Sequence, residues 1–209
     1  MIIARWSHPA QRAEVATILP DGCVDLILVR DRDGRVRPRV SALMDGPTPV
    51  RIAAGAAYHG FRLLPGARID ATALSAAAAA AGNDEALLLD RLPEFAFRSQ
   101  VLADALAHLA QARSVTDAAG RAGVRARTLQ RVTLRETSRG PDFWRRLARA
   151  RRAARRAIAG EPLADIAADE GYCDQAHMTR ELVRWFGASP WRLARDARLA
   201  AQLAEVGYA

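Results

Sequence analysis

The C-terminal part of this 209-residue chain carries one pattern twice. The segment from Thr116 to Pro141 (TDAAGRAGVRARTLQRVTLRETSRGP) and the segment from Ala164 to Pro190 (ADIAADEGYCDQAHMTRELVRWFGASP) pair Asp117 with Asp165, Ala119 with Ala167 and Gly123 with Gly171 at an offset of 48. After a one-residue insertion the offset is 49, and Leu129 meets Met178, Arg131 meets Arg180, Arg135 meets Arg184 and Pro141 meets Pro190. In each copy small residues form a short helix, a glycine reverses the chain, and a longer helix carries arginines on one face. A chain built this way is constrained to two copies of a helix, turn, helix unit joined by whatever lies between them.

Charge follows the repeat. From Met1 to Arg113, 13 arginines stand against 12 carboxylates, a net of +1; from Ser114 to Ala209, 18 stand against 11, a net of +7 out of the total of +8. The chain has no lysine, so a general bias toward arginine accounts for some of the basic character. Such a bias would not separate the halves. A basic half beside a nearly neutral one is the electrostatic footprint of a nucleic-acid module joined to another domain.

At 50% hydrophobic residues the chain is long enough for two modest domains. Its one long apolar run, Ala71 to Gly82, is too short to cross a bilayer, and Arg5, His8, Arg12 and Glu14 interrupt the first twenty residues where a signal segment would be apolar. A cytoplasmic protein with no membrane partner is expected. Cys23 and Cys173 lie in different halves without the spacing of a metal or redox pair.

Along the first half, Val24 to Val29 reads as a strand, Asp33 and Gly34 as a hairpin turn, and Arg35 to Val40 as the returning strand. Val50 to Ala53 and Tyr58 to Leu64 read as two more strands, closed by Pro65 and Gly66. Helices follow over Ala73 to Ala81, Asp84 to Leu89 and Ser99 to Gln111, the last with Val101, Leu102, Ala105, Leu106 and Leu109 on one stripe. A β-rich domain over 1–98, a connecting helix over 99–113 and a basic helical domain over 114–209 are expected, the last opened by Ser114 with Asp117 three residues on.

Within the basic half a first helix runs from Ser114 to Gly123 and a second from Arg125 to Glu136, with Leu129 and Val132 inward and Arg127, Gln130, Arg131 and Arg135 outward. Pro141 starts a linker helix that ends near Gly160. In the second copy Asp174 takes the N-cap; Gln175, Ala176, Thr179, Arg180 and Arg184 face outward, and Met178, Leu182, Trp185 and Phe186 inward. Trp144, Trp185 and Trp191 recur among apolar positions at helical spacing and read as core.

The run PLADIAADEGYCDQAHMTRELVRWFGASPWRLAR, from Pro162 to Arg195, resembles the signature of AraC/XylS-type transcriptional regulators, and the likeness extends back to about Ser114. Thr133 stands where that family usually has phenylalanine, and Ser138 where it usually has glycine. ILPDGCVDLIL, from Ile18 to Leu28, and GFRLLPGA, from Gly60 to Ala67, are similar to a short β-rich N-terminal domain found on some of these regulators.

The resemblance implies an α+β protein. A small β-rich N-terminal domain, in the place where the family generally carries a cupin-like sensing domain, precedes an all-α domain of two helix-turn-helix units. Their second helices would enter successive major grooves of double-stranded DNA about 34 Å apart. By matching positions the base-reading residues would be Arg127, Gln130 and Arg131 in the first unit and Gln175, Ala176, His177 and Arg180 in the second; arginine suits guanine and glutamine suits adenine. Other roles stay open for some of these: a structural salt bridge for Arg131 and Arg180, a polar first-turn place for Gln175, and packing or a phosphate contact for His177. A small-molecule effector and RNA polymerase are the further partners such a regulator admits, and no cofactor is expected. Two rival functions carry less weight. A cupin-type metalloenzyme would want a close histidine pair, and His8 and His59 are isolated. A sensor built on Cys23 would have its thiol between Asp21 and Asp25, which blunt its nucleophilicity.

Overall fold

The computed structural model describes residues 1–209. Two compact units emerge. The first comprises Met1–Ala16, Cys23–Leu43 and Pro49–Ser99; the second comprises Gln100–Ala209 together with two short segments from early in the chain, Thr17–Gly22 and Met44–Thr48.

In the first unit the strands are β1 (Ile2–Pro9), β2 (Glu14–Ile18), β3 (Asp25–Arg30), β4 (Val36–Val40), β5 (Thr48–Ile52), β6 (Ala57–Leu63) and β7 (Arg68–Ile69), the ends of β2 and β5 running into the segments that belong to the second unit. Helices α1 (Ala71–Ala81), α2 (Glu85–Asp90) and α3 (Leu92–Phe95) and a last strand, β8 (Ala96–Phe97), complete it. Strands β1, β6, β3 and β4 form an open antiparallel sheet in that order. The expected hairpin joins β3 to β4: the Gly34 N–H donates to the Asp31 carbonyl at 3.1 Å, and Gly34 holds a φ of 78°. Pro38 sits in β4, an edge strand, where a missing donor costs no ladder bond.

Strand alternation supplies the core. Leu26 and Leu28 of β3 and Phe61 and Leu63 of β6 face helix α1, whose Leu74, Ala77 and Ala81 pack on them with Leu88, Leu92 and Phe95. Asp70 caps α1 by accepting from the Ala73 N–H at 2.9 Å. In β1, opposite β6, Trp6 lies so close to Gly60 that a Cβ there would come within 1.8 Å of the indole. The Trp6 Nε1–H donates to Asp25 at 2.8 Å, and Arg62 reaches the other carboxylate oxygen at 3.3 Å. Strands β1 and β2 are additions to the expectations from sequence. Their residues alternate between half-buried and exposed, without the apolar run that marks β3.

In the second unit the helices are α4 (Gln100–Gln111), α5 (Val115–Arg121), α6 (Ala126–Thr137), α7 (Pro141–Ile158), α8 (Leu163–Asp169), α9 (Gln175–Phe186), α10 (Pro190–Arg195) and α11 (Ala197–Ala204). Helix α4 buries Leu102, Ala105, Leu106 and Leu109 and packs against α5, α6 and α7. Helix α7 touches α4, α8, α9, α10 and α11, and Trp144, Leu147, Ala148, Ala150, Ala153 and Ala154 on it have no exposed surface. Its alanines let these neighbours approach from several sides.

Arg151, in the middle of α7, is also fully buried. Its guanidinium donates to the carbonyls of Pro20 at 3.3 Å and Glu205 at 3.0 Å. The chain around Pro20 is tied down further. Gln202 accepts from the Leu19 N–H and donates to the Thr17 carbonyl, both at 3.0 Å, and the Tyr208 N–H donates to the Asp21 carbonyl at 2.7 Å. Tyr208 stacks edge-on against Trp144 with ring centroids 5.0 Å apart, and its hydroxyl donates to the Leu106 carbonyl at 2.7 Å. The stretch Ile18 to Leu28, one motif in the sequence, is therefore divided: Ile18 to Gly22 is part of the helical unit, Cys23 to Leu28 part of the sheet.

Gly22 is the tightest point of this seam. Its φ is +76°, and a Cβ would stand 2.6 Å from the Tyr208 Cβ and 3.2 Å from the Trp144 and Leu147 side chains. Gly34 has a like φ of +78° with nothing within 4 Å. Gly34→Ala is expected to cost about 1 kcal/mol for the left-handed backbone alone. Gly22→Ala is expected to cost a further ~1–3 kcal/mol of overpacking. Chemical denaturation of the two variants measures the difference; equal losses would mean that the seam at Gly22 is loose.

Two buried tyrosines make the second unit sensitive to alkali. Burial pushes the Tyr172 hydroxyl up to about 12, against the opposing pull of the nearby Arg149 cation, and burial raises Tyr208 still more. The unfolded chain loses these protons near pH 10 while the folded chain keeps them, so stability is intact below pH 10 and falls as pH rises above it. Tyr172 alone accounts for about 2–3 kcal/mol between pH 10 and 12. Tyr172→Phe should flatten that part of the decline in a pH series of denaturation curves; an unchanged decline would show that the ring is hydrated.

Candidate nucleic-acid interface

The two helix-turn-helix copies coincide down to individual hydrogen bonds. At the turn, the Gly123 N–H donates to the Gly120 carbonyl and the Gly171 N–H to the Ala168 carbonyl, each at 3.1 Å. The next residues reach back identically, Val124 to Ala119 at 3.0 Å and Tyr172 to Ala167 at 2.8 Å. Both glycines have positive φ, 64° and 71°, as a reversal straight out of a helix requires. At the far end Ser138 donates to the Leu134 carbonyl at 2.9 Å and Gly187 to the Val183 carbonyl at 2.8 Å.

Each second helix presents one face outward. On α6, Leu129, Val132, Thr133 and Glu136 are buried, leaving Arg127, Gln130, Arg131, Leu134 and Arg135 exposed. On α9, Met178, Glu181, Leu182, Trp185 and Phe186 are buried, leaving Gln175, Ala176, Arg180, Val183 and Arg184 exposed. No carboxylate lies within ion-pair distance of Arg127, Arg131 or Arg180. An open groove of about 830 Å³ runs along the outward face of α6, lined by Arg127, Gln130, Arg131 and Leu134 and by Gly140 and Pro141 at the start of α7.

His177 differs from the other expected contacts. It is half-buried, its Nδ1 accepts from the Cys173 N–H at 3.3 Å, and its ring meets Tyr172 edge-on at 5.5 Å. The imidazole fastens the turn to the start of α9. Asp174 accepts from the His177 N–H at 2.6 Å, whereas Arg125, the N-cap of α6, makes no side-chain cap bond.

The departures in the first copy are accommodated locally. Thr133 is fully buried, and its hydroxyl donates back to the Leu129 carbonyl at 2.9 Å. Ser138 takes the left-handed conformation at φ 56°, where Gly187 in the second copy has φ 69°.

The linker arginines form the frame of the interface. Arg149 lies over the Tyr172 ring at 4.2 Å and donates to the Gly171 carbonyl at 3.2 Å. Arg152 pairs with Glu170 at 2.9 Å, and Arg156 with Glu161 and Asp169, each at 2.7 Å. The arginine run of α7 thus holds the α8–α9 turn in place. Trp144 and Trp185 are buried as expected, but Trp191 is 64% exposed, with the Arg195 guanidinium 4.5 Å above its ring. On α10, Pro190 and Leu193 take the inward side.

The loop Met44–Thr48 touches the ends of both copies. Asp45 pairs with Arg139, just past α6, at 3.0 Å, and the Pro47 ring lies 3.0 Å from where a Cβ on Gly187, just past α9, would stand. Sequence gave no sign of this, since the loop has neither periodicity nor motif. Cys23 is buried and Cys173 exposed. No helix is long and apolar enough to cross a membrane.

Residues 118–196 match a family model described as a helix-turn-helix domain. No curated protein matches the chain at a significant level. Among solved structures the chain is similar to a transcriptional regulator with an AraC-type DNA-binding domain from Chromobacterium violaceum, with 22% identity and a TM-score of 0.40 over 51% of this chain and 94% of that one. It is also similar to ToxT from Vibrio cholerae, with 6% identity and a TM-score of 0.42 over 92% of this chain and 97% of that one. The matched segment begins within α5 and ends just past α10, so it takes in both turns and both outward faces, and residues 118–196 are similar to that helix-turn-helix family.

Proposed function

We propose that this chain is a sequence-specific transcriptional regulator of the cytoplasm that sets α6 and α9 into adjacent major grooves of double-stranded DNA. The observation that carries the reading is the pair Arg131 and Arg180. They occupy equivalent places in the two copies, both exposed and both without an ion-pair partner. Arg127 and Gln130 on α6 and Gln175 and Ala176 on α9 complete the two reading faces; arginine is bidentate to guanine and glutamine to adenine. His177 supports its face from within the turn. The surrounding positive charge supplies affinity through phosphates, without sequence information. The β-rich N-terminal domain expected over 1–98 is a sensing or regulatory domain that acts on the occupancy of the site, its effector a small molecule and its downstream partner RNA polymerase.

Selection of bound sequences from a random DNA pool by the full chain tests the reading directly. The enriched site should contain two conserved blocks about one helical turn apart. Enrichment of nothing over nonspecific competitor, or of a single block, contradicts it. Arg180→Ala should weaken binding to that site by about 1–3 kcal/mol and relax preference at one position, and Arg131→Ala should do so in the other block. Arg149→Ala serves as the contrast: its guanidinium holds Gly171 and Tyr172, so it should lower the melting temperature and leave base preference unchanged.

A further inference from the structure

One equivalent position on each outward face carries an apolar side chain. Leu134 on α6 is 53% exposed and Val183 on α9 is 45% exposed, and the two are related by the offset of 49 that runs through the rest of these helices. Each sits three residues, just under one helical turn, beyond the exposed arginine, Arg131 or Arg180. Leu134 lines the open groove together with Arg127, Gln130 and Arg131.

Single exposed apolar residues are ordinary. A matched pair of large apolar side chains, on two faces whose only other apolar member is the small Ala176, is less so, and the fold gives it no other work. The inward faces are filled by Leu129 and Val132 in one copy and Met178 and Leu182 in the other. What the fold takes from positions 134 and 183 is the backbone carbonyl that accepts from Ser138 or Gly187, which any residue supplies.

The major groove displays one apolar group at the edge of its bases, the C5-methyl of thymine. We propose that Leu134 and Val183 read thymine methyl groups, one in each half of the site, in the same groove as the base met by Arg131 or Arg180. A methyl pressed against an exposed leucine or valine leaves water on both sides of the contact, and a contact of that size shifts binding about fourfold. Specificity of each head then has two parts of different chemistry: a charge-assisted hydrogen-bonding part from the arginine, sensitive to salt, and an apolar part that is not. The inference rests on the docking of α6 and α9 proposed above.

Deoxyuridine in place of thymidine tests it, because the exchange keeps pairing and the O4 acceptor and removes only the methyl. With the selected site in hand, each thymine is replaced in turn and the affinity of the full chain is measured. At least one position in each half should weaken binding about fourfold. Leu134→Ala should abolish that sensitivity in the half read by α6 and keep it in the other; Val183→Ala should do the reverse. Leu134→Met, which preserves an apolar side chain at the same reach, should retain it. A site indifferent to every exchange overturns the inference, and so does methyl sensitivity that survives in both alanine variants; the apolar pair would then face something other than DNA. Failure of the parent reading is seen earlier and separately, as the absence of any enriched site for the full chain.

Discussion

A guanidinium that cannot lose its proton is buried at the centre of α7, and carbonyl oxygens must be held around it. Arg151 takes them from Pro20 and Glu205, residues that lie far apart in the chain. Burial of the charge without fixed acceptors would cost several kcal/mol. The early segment Thr17–Gly22 and the end of the chain are therefore drawn to the same place, where Gly22, Tyr208, Trp144 and Leu147 close around each other. The alanines that flank Arg151 on α7 leave room for this, and the same helix face organisation seats α9 and α10. The placement of α9 thus depends on a helix whose own surroundings are set by one arginine.

Much of the helical unit was legible from local signals. Amphipathic spacing gave the outward faces of α6 and α9, Asp174 and Ser114 marked helix starts by their capping chemistry, and Gly123 and Gly171 marked the turns. The hairpin of the first unit was equally plain from Asp33 and Gly34 between two β-branched runs. Everything missed was nonlocal or a matter of which side faces water. Arg151 is one arginine in a run of many, and only three-dimensional packing distinguishes it from its exposed neighbours. The membership of Thr17–Gly22 and Met44–Thr48 in the second unit depends on contacts between residues far apart in the chain, which leave no periodicity to read. Trp191 has helical spacing from apolar neighbours, yet α10 turns it outward. For the candidate site, spacing located the exposed residues; the inward anchoring of His177 on Tyr172 required the turn itself.

The two copies differ where electrostatics and capping meet. Asp174 satisfies an N–H at the start of α9, while Arg125 at the same place on α6 leaves the start of that helix to water or to a partner. The second copy is further stiffened by Arg149, Arg152 and Arg156, which tie its turn to α7. The first has Thr133 and Ser138 where bulk or a glycine would be expected, and it meets both with local hydrogen bonding and a left-handed cap. The second copy is the more firmly built of the two.

The loop Met44–Thr48 adds to this asymmetry. Its Pro47 lies against the bare α-carbon of Gly187, and its Asp45 pairs with Arg139. The second copy has Ala188 where the first has Arg139, and the first has Ser138 where the second has Gly187. The two copies therefore meet different partners on one shared strip of chain. A chain rebuilt with the copies exchanged would set a serine side chain against the proline and leave the aspartate facing an alanine. The loop between β4 and β5 thus distinguishes two units whose turns are otherwise alike.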